Sequence, residues 1–454
     1  MNEVITKDIP ILKTFIYNNE YYCYDTYSNN LLHITREVFV EICKLKKMGL
    51  KEYQKLNLDN IAYNDVIALI EKGFFKYDFI KRIIHPETKY IKNLIARCIS
   101  QLIIEVTNAC NFKCRYCHQT NILQKQKKVM TEEVAYQSID FLFDHSKDAT
   151  EIAITFYGGE PLLNFELIKK IVLYANKKFK TKIVSYNMTT NASLLNNEII
   201  SFLVKNNFSL LISLDGNENI QNFHRKYLSD GRATFADVWR NISLIKDNYS
   251  NYFNSNVNFN SVVLPDENPS KVICFFKEHN IPKTAIRISN ADLSGIDYTR
   301  VKYIEKAYGY NFLDFDENFR DFLERLKSKN MLSTEWHHNG PCVPAARRLF
   351  VSIDGNFYPC EKIEGASDCL IGNLKEGLDV EKAERLLNIG KLTSSDCLSC
   401  WAMRLCSMCV KHCLDGGSIS LEKKKKACKQ LRKNALVFFN EYIQNQKRNP
   451  GIPL

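Results

Sequence analysis

No stretch of this 454-residue chain reaches the ~18 consecutive apolar residues that a membrane helix needs, so a membrane-spanning role is not expected. The first residues, MNEVITKDIPILKTF, lack a basic flank leading into an apolar core and do not read as a secretory signal. A cytoplasmic location is the expectation, and thiols stay reduced there. No internal repeat and no long low-complexity segment is found, which excludes a repeat array. An excess of acidic residues is also missing. The net charge is +11, which fits either an acidic partner, peptide or nucleic acid, or simply a Lys-rich solvated surface.

What the chain does have is cysteine. Sixteen thiols in a reducing compartment read as metal ligands rather than a disulfide framework. Their distribution is uneven: Cys342, Cys360, Cys397, Cys400, Cys406, Cys409, Cys413 and Cys428 crowd one C-terminal region. Hydrophobic residues at 45% and charged residues at 25% describe a globular protein, and the length calls for two or three domains.

Three regions separate. In residues 1–95, TFIYNNEYYCYDTYSNNLLHIT reads as strand, turn, strand around YSNN. Two helices follow, REVFVEICKLKKMGL and YNDVIALIEKGFF, which suggests a winged-helix-like module. In 96–325, strands are expected at Gln101–Val106, Ile152–Tyr157, Lys182–Met188, Phe208–Leu214, Val257–Val263 and Thr284–Ser289, with helices between them. This α/β alternation implies a parallel sheet. Six units fall short of the eight that close a full barrel, so a partial (β/α)6 barrel with an open side is expected. In 335–454 little regular structure is expected before a terminal helix with Leu431, Leu436, Phe439 and Ile443 on its apolar face. The charge run EKKKKACK reads as a solvated face.

The loop TNACNFKCRYCHQT follows the first of these strands and carries Cys110, Cys114 and Cys117 in a C-x3-C-x2-C spacing. Three thiolates can hold three irons of a 4Fe–4S cluster and leave the fourth iron open. The alternative is a structural zinc site completed elsewhere. This motif, with aromatic Tyr116 before its last cysteine, resembles the signature of the radical S-adenosylmethionine (SAM) enzymes. The resemblance implies that SAM takes the open iron and is cleaved to a 5′-deoxyadenosyl radical.

It also implies SAM contacts at the ends of later strands. Gly158, Gly159 and Glu160 in TFYGGEPLL are expected to meet the SAM amino group, with the glycines letting backbone approach the ligand. Asn191 in NMTTNASLL, and Ser213 and Asp215 in LISLDG, are candidates for SAM or substrate contacts. Arg225 is expected to pair with the SAM carboxylate. No catalytic acid or base stands out.

The C-terminal cysteines resemble the SPASM extension, an auxiliary-cluster domain of radical SAM enzymes that modify peptides and proteins. The C-x12-G-x4-C part, Cys342 to Cys360 through Gly355, fits, as does C-x2-C-x5-C at Cys397, Cys400 and Cys406. The next position departs from the pattern: Val410 stands there, between Cys409 and Cys413. The resemblance implies one auxiliary 4Fe–4S cluster on Cys397, Cys400, Cys406 and Cys428. A second would sit on Cys342, Cys360 and one or both of Cys409 and Cys413, with Cys369 as an extra candidate. Paired zinc ribbons on nucleic acid are the rival reading of such C-x2-C pairs. Cys23, Cys43, Cys98 and Cys274 read as core residues.

The N-terminal module resembles the RiPP recognition element, which binds the leader of a ribosomal precursor peptide by adding a strand to a sheet edge. Together these features imply an enzyme: a radical SAM peptide maturase forming an intramolecular crosslink, preferably a Cys thioether. An anaerobic sulfatase maturase making formylglycine, or a non-catalytic iron–sulfur electron carrier, are the alternatives. Expected partners are a precursor peptide with its leader and an electron donor such as flavodoxin or ferredoxin, and neither nucleic acid nor membrane. Three 4Fe–4S clusters predict an iron content of about twelve per chain after anaerobic reconstitution, measured by metal analysis. Zinc with little iron would instead indicate the ribbon reading.

Overall fold

A computed structural model describes residues 8–117, 127–264, 267–290, 317–328, 334–338 and 342–448. The chain begins with an antiparallel meander of β1 (Leu12–Tyr17), β2 (Glu20–Asp25) and β3 (Asn30–Ile34). Its first turn is Asn18-Asn19, with φ of 49° and 60°, the left-handed conformation that a tight two-residue hairpin requires. The sequence reading placed a turn only at YSNN, so the strand pair expected there is three strands. Helices α1 (Arg36–Met48), α2 (Leu50–Gln54) and α3 (Ile61–Glu71) follow. Thr35 caps α1 by accepting from the Val38 N–H, and Asn60 caps α3 through Tyr63. Cys23, Ile42, Leu45, Val66 and Phe75 close a small core of their own. Cys43, expected in a core, is exposed on α1.

The central sheet contains β4 (Gln101–Thr107), β5 (Glu151–Gly158), β6 (Ile183–Thr190), β7 (Ser209–Ser213), β8 (Val257–Val263) and β9 (Ile286–Asn290), all parallel and side by side in chain order. The helices α4 (Glu132–His145), α5 (Phe165–Lys178), α6 (Asn197–Lys205), α7 (Phe235–Asn248) and α8 (Pro269–Glu278) alternate with them. On α5, Ile168, Ile171, Val172 and Ala175 recur at helical spacing and are almost fully buried, as a helix laid on a sheet demands.

The sheet does not stop at β4. Strand β10 (Arg348–Val351) pairs parallel to it, and β11 (Asn356–Tyr358), β12 (Gly372–Asn373) and β13 (Gly377–Leu378) continue antiparallel. The result is an open, mixed, ten-stranded sheet in the order β9-β8-β7-β6-β5-β4-β10-β11-β12-β13. The expectation of little structure in 335–454 is corrected here. The sequence RLFV has four residues of strand character, too few to separate from a loop without the partner strand. The terminal helix α9 (Leu421–Arg448) carries Phe439, which stacks on Phe15 of β1 at 5.6 Å and ties the two ends of the chain together.

Two glycines end β5. Gly158 has φ of +145°, and a Cβ there would lie 2.0 Å from the Thr107 carbonyl oxygen. A Cβ on Gly159 would lie 2.2 Å from the Ala109 carbonyl oxygen. The close approach they permit is therefore to the end of β4, through Gly159 N–H to Thr107 and Glu160 N–H to Ala109, both 2.9 Å. Gly159→Ala is predicted to lower stability by about 1–3 kcal/mol, since backbone would have to move to admit one methyl. Denaturant unfolding measures it.

Candidate active site

Backbone pairing shapes the cysteine loop. Phe112–Cys114 forms an antiparallel ribbon with Arg225–Tyr227, with Arg225 opposite Cys114. Phe112 is buried as the anchor of this ribbon, and the Arg115 N–H donates to the His224 carbonyl. Cys110, Cys114 and Cys117 all border a cavity of about 600 Å³ at the C-terminal ends of the parallel strands, within the ordinary range for a small-molecule site. Burial pushes the Cys110 thiol up to about 12 and the Cys114 thiol to about 11. Iron binding there has to expel protons.

A buried ion pair holds the ribbon. Arg225 donates from Nε and Nη2 to Asp215 at 2.9 and 3.1 Å, and its Nη1 lies 3.9 Å from the Cys114 sulfur. The Asp215 carboxylate also accepts from the Tyr116 hydroxyl and from the Val262 N–H of β8. Asp215 is fully buried, and it does not border the cavity. It was expected to touch SAM or substrate, but its lone pairs are engaged in bracing the loop. Arg225 does border the cavity, with most of its guanidinium directed at Asp215.

Glu160, also fully buried, accepts from Thr190 Oγ1 and the Asn191 N–H, each at 2.7 Å, and from the Leu162 N–H. Burial pushes its carboxyl up to about 7. Asn191 donates to Asn111 in the cysteine loop and accepts from Ser193, so it too braces the loop from the end of β6. Ser213 borders the cavity, and so do Gly158, Gly159, Glu160 and Asn191. The sequence reading missed Asn260, Arg287 and Ser289, which border it from β8 and β9. Their signal was the alternation in VNFNSVV and IRISN: in a sheet with helices on one face, polar residues two apart must look onto the other.

The far wall comes from the C-terminal region. Arg348, Glu361, Lys362 and Lys411 border the same cavity, and Arg348 pairs with Glu361. Glu361 adjoins Cys360, and Lys411 lies between Cys409 and Cys413. The auxiliary cysteines fall into two groups. The Cys406 thiol is pushed up to about 12 by burial and by the neighbouring thiols of Cys400, Cys428 and Cys397. Cys360 is raised by burial, with Cys409 contributing, and Cys409 by burial, with Cys342 contributing. Cys369 and Cys413 are both fully buried near the second group, and the Cys413 thiol donates to Met408 Sδ at 3.8 Å.

Mononuclear zinc draws all its ligands to one point at ~2.3 Å, whereas a cluster takes one thiolate per iron. The loop's donor set, three soft thiols bordering one cavity, suits a cluster with an open iron.

A family model described as the radical SAM superfamily matches residues 104–277, the stretch holding this loop and the strands that brace it. Residues 104–277 are a radical SAM domain. Among curated relatives, the radical SAM cyclopropyl synthase TigE of Paramaledivibacter caminithermalis is 25% identical over 292 residues, 59% of this chain and 60% of that protein. This chain thus spans less than two thirds of the synthase. A cysteine-type anaerobic sulfatase-maturating enzyme of Clostridium perfringens is 26% identical over 349 residues, 70% of this chain and 90% of that enzyme. The solved structure of native anSMEcpe with bound AdoMet superposes with a TM-score of 0.59 at 23% identity, covering 77% of this chain and 99% of that one. About three quarters of this chain therefore shares its fold with that structure. No helix among the described residues is long and apolar enough to cross a membrane.

Asp215→Asn is predicted to destabilise the domain by about 3–5 kcal/mol, because Arg225 stays buried without its anion. Tyr116→Phe, which removes one hydrogen bond to the same carboxylate, should cost about 1.5–3 kcal/mol. Denaturant titration of the two variants ranks them.

Proposed function

We propose that this protein is a radical SAM peptide maturase that closes an intramolecular crosslink in a ribosomal precursor peptide, preferably a thioether from a peptide cysteine. The observation carrying this reading is the shared cavity. One wall holds Cys110, Cys114 and Cys117, and the other holds residues adjoining Cys360 and Cys409. A peptide segment between them faces a radical source on one side and an electron acceptor on the other.

When bound, the loop cluster and SAM supply a one-electron cleavage that yields a hydrogen-abstracting radical. The chain's own residues do the rest. The Asp215–Arg225 pair fixes the ribbon carrying Cys114, Asn191 holds the loop through Asn111, and the Glu160 N–H holds it through the Ala109 carbonyl. Ser213, Asn260 and Arg287 present polar atoms for a ligand's hydroxyl and carboxylate groups. In thioether closure one C–H and one S–H bond break and one C–S bond forms. One hydrogen goes to deoxyadenosine and one proton to solvent, and a cluster held on the C-terminal cysteines would supply an acceptor for the remaining electron. We assign the two auxiliary clusters to Cys397, Cys400, Cys406 and Cys428, and to Cys342, Cys360 and Cys409 with Cys369 or Cys413.

The N-terminal module supports a peptide substrate. Strand β3 pairs only with β2 among the described residues, so its other edge is available for strand addition. Beside it, a groove of about 900 Å³ runs between the starts of α1 and α3, with Val40 and Ile61 exposed in it. An aliphatic leader segment fits that pairing of edge and groove. The second reading, a sulfatase maturase, is favoured by the match over 90% of the clostridial enzyme.

Anaerobic incubation with SAM and dithionite is predicted to release 5′-deoxyadenosine, and Cys114→Ala to abolish it. Failure to exceed that control would leave an electron carrier. Adding the peptide encoded beside this gene should remove two hydrogens from it and make one cysteine resistant to alkylation. An aldehyde formed on a sulfatase-derived peptide instead would move the protein to the second reading.

A further inference from the structure

The run EKKKKACK reads as a solvated face, and one of its lysines breaks that rule. Lys423, Lys425 and Lys426 are exposed, but Lys424 is only 1% exposed. Helical spacing explains which one turns inward: Cys428 lies one turn on, and Leu431 and Ala435 continue the same inward face of α9.

An ammonium taken out of water costs several kcal/mol unless negative charge meets it. Among the described residues no carboxylate pairs with Lys424. Its Nζ donates instead to Thr393 Oγ1, and Thr393 is itself buried. An ammonium has protons only, so the Thr393 oxygen must accept, and its own hydroxyl proton is left to donate. The other polar contact of that hydroxyl is Cys397 Sγ, 3.5 Å away. A cluster-ligating Cys397 is a thiolate and can only accept, so with the cluster in place the chain runs from ammonium to hydroxyl to sulfur. Cys428 follows Lys424 one helical turn later, and burial lowers the nearby imidazoles of His337 and His338. The anion that a buried ammonium calls for is thus the thiolate set of Cys397, Cys400, Cys406 and Cys428.

We propose that Lys424, acting through Thr393, is a positioning residue that raises the reduction potential of the auxiliary cluster seated on Cys397, Cys400, Cys406 and Cys428. Hydrogen bonds and positive charge at cluster sulfurs stabilise the added electron. The relay therefore biases this cluster toward accepting the electron that crosslinking releases. The inference rests on the cluster assignment made above.

The test is a potentiometric titration, followed by electron paramagnetic resonance, of the full-length, anaerobically reconstituted holoprotein. Lys424→Met and Thr393→Val should each make the midpoint of that cluster more negative by at least tenfold in the reduction equilibrium, about 59 mV for one electron. Thr393→Ser, which keeps the hydroxyl, should restore the original midpoint. The double variant should shift no further than Lys424→Met alone, because both changes cut one chain. Should Lys424→Met fail to fold, the Thr393 pair still decides. Iron content measured alongside separates the two failures. Wild-type protein without auxiliary iron overturns the cluster assignment and the relay with it. Full iron with midpoints unmoved by the substitutions overturns the relay alone.

Discussion

The buried pair of Asp215 and Arg225 is the constraint on which the site depends. One carboxylate at the end of β7 receives a guanidinium from the ribbon, a phenol from the cysteine loop and an amide from β8. Such a pair contributes little net stability when desolvation is counted. Its effect is geometric. A loop of irregular backbone, which would otherwise sample many shapes, is held against the strand ends with Cys114 at a fixed place. The glycine pair at the end of β5 acts from the other side, by bringing backbone to backbone where no side chain fits.

Around that loop the cavity wall is divided by origin. Parallel strands supply one half, and the C-terminal region supplies the half with Arg348, Glu361, Lys362 and Lys411. These four bring both signs of charge, and they adjoin or lie near the second group of auxiliary cysteines. Among the relatives, one is a cyclopropyl synthase and another a sulfatase-maturating enzyme. The loop lies within the radical SAM domain of residues 104–277, whereas half of the cavity wall lies outside it.

Much of this was legible in the residues, for identifiable reasons. The strand expected at Ile152–Tyr157 falls within β5 because parallel, buried strands are nearly continuous β-branched and apolar runs between turn signals. The cysteine spacing announced the loop because short-range ligand spacing is local information. The bracing roles of Asp215 and Asn191 were not legible, although Asn191 borders the cavity as Glu160 does. Each is polar at a strand end, and whether such a group meets a ligand or a neighbouring loop depends on long-range packing. Lys424 was hidden by its company, since three exposed neighbours made the run look uniform. The Asn18-Asn19 turn carried a usable sign that the reading passed over, because asparagine tolerates positive φ.

Strand β10 pairs directly with β4, so the auxiliary cysteines begin on the same sheet that carries the loop. The two halves are thus joined by hydrogen-bonded backbone and not by a tether. A continuous sheet acts as a rigid ruler, keeping the stretch around Cys360, just past β11, at one distance from the cysteine loop that follows β4.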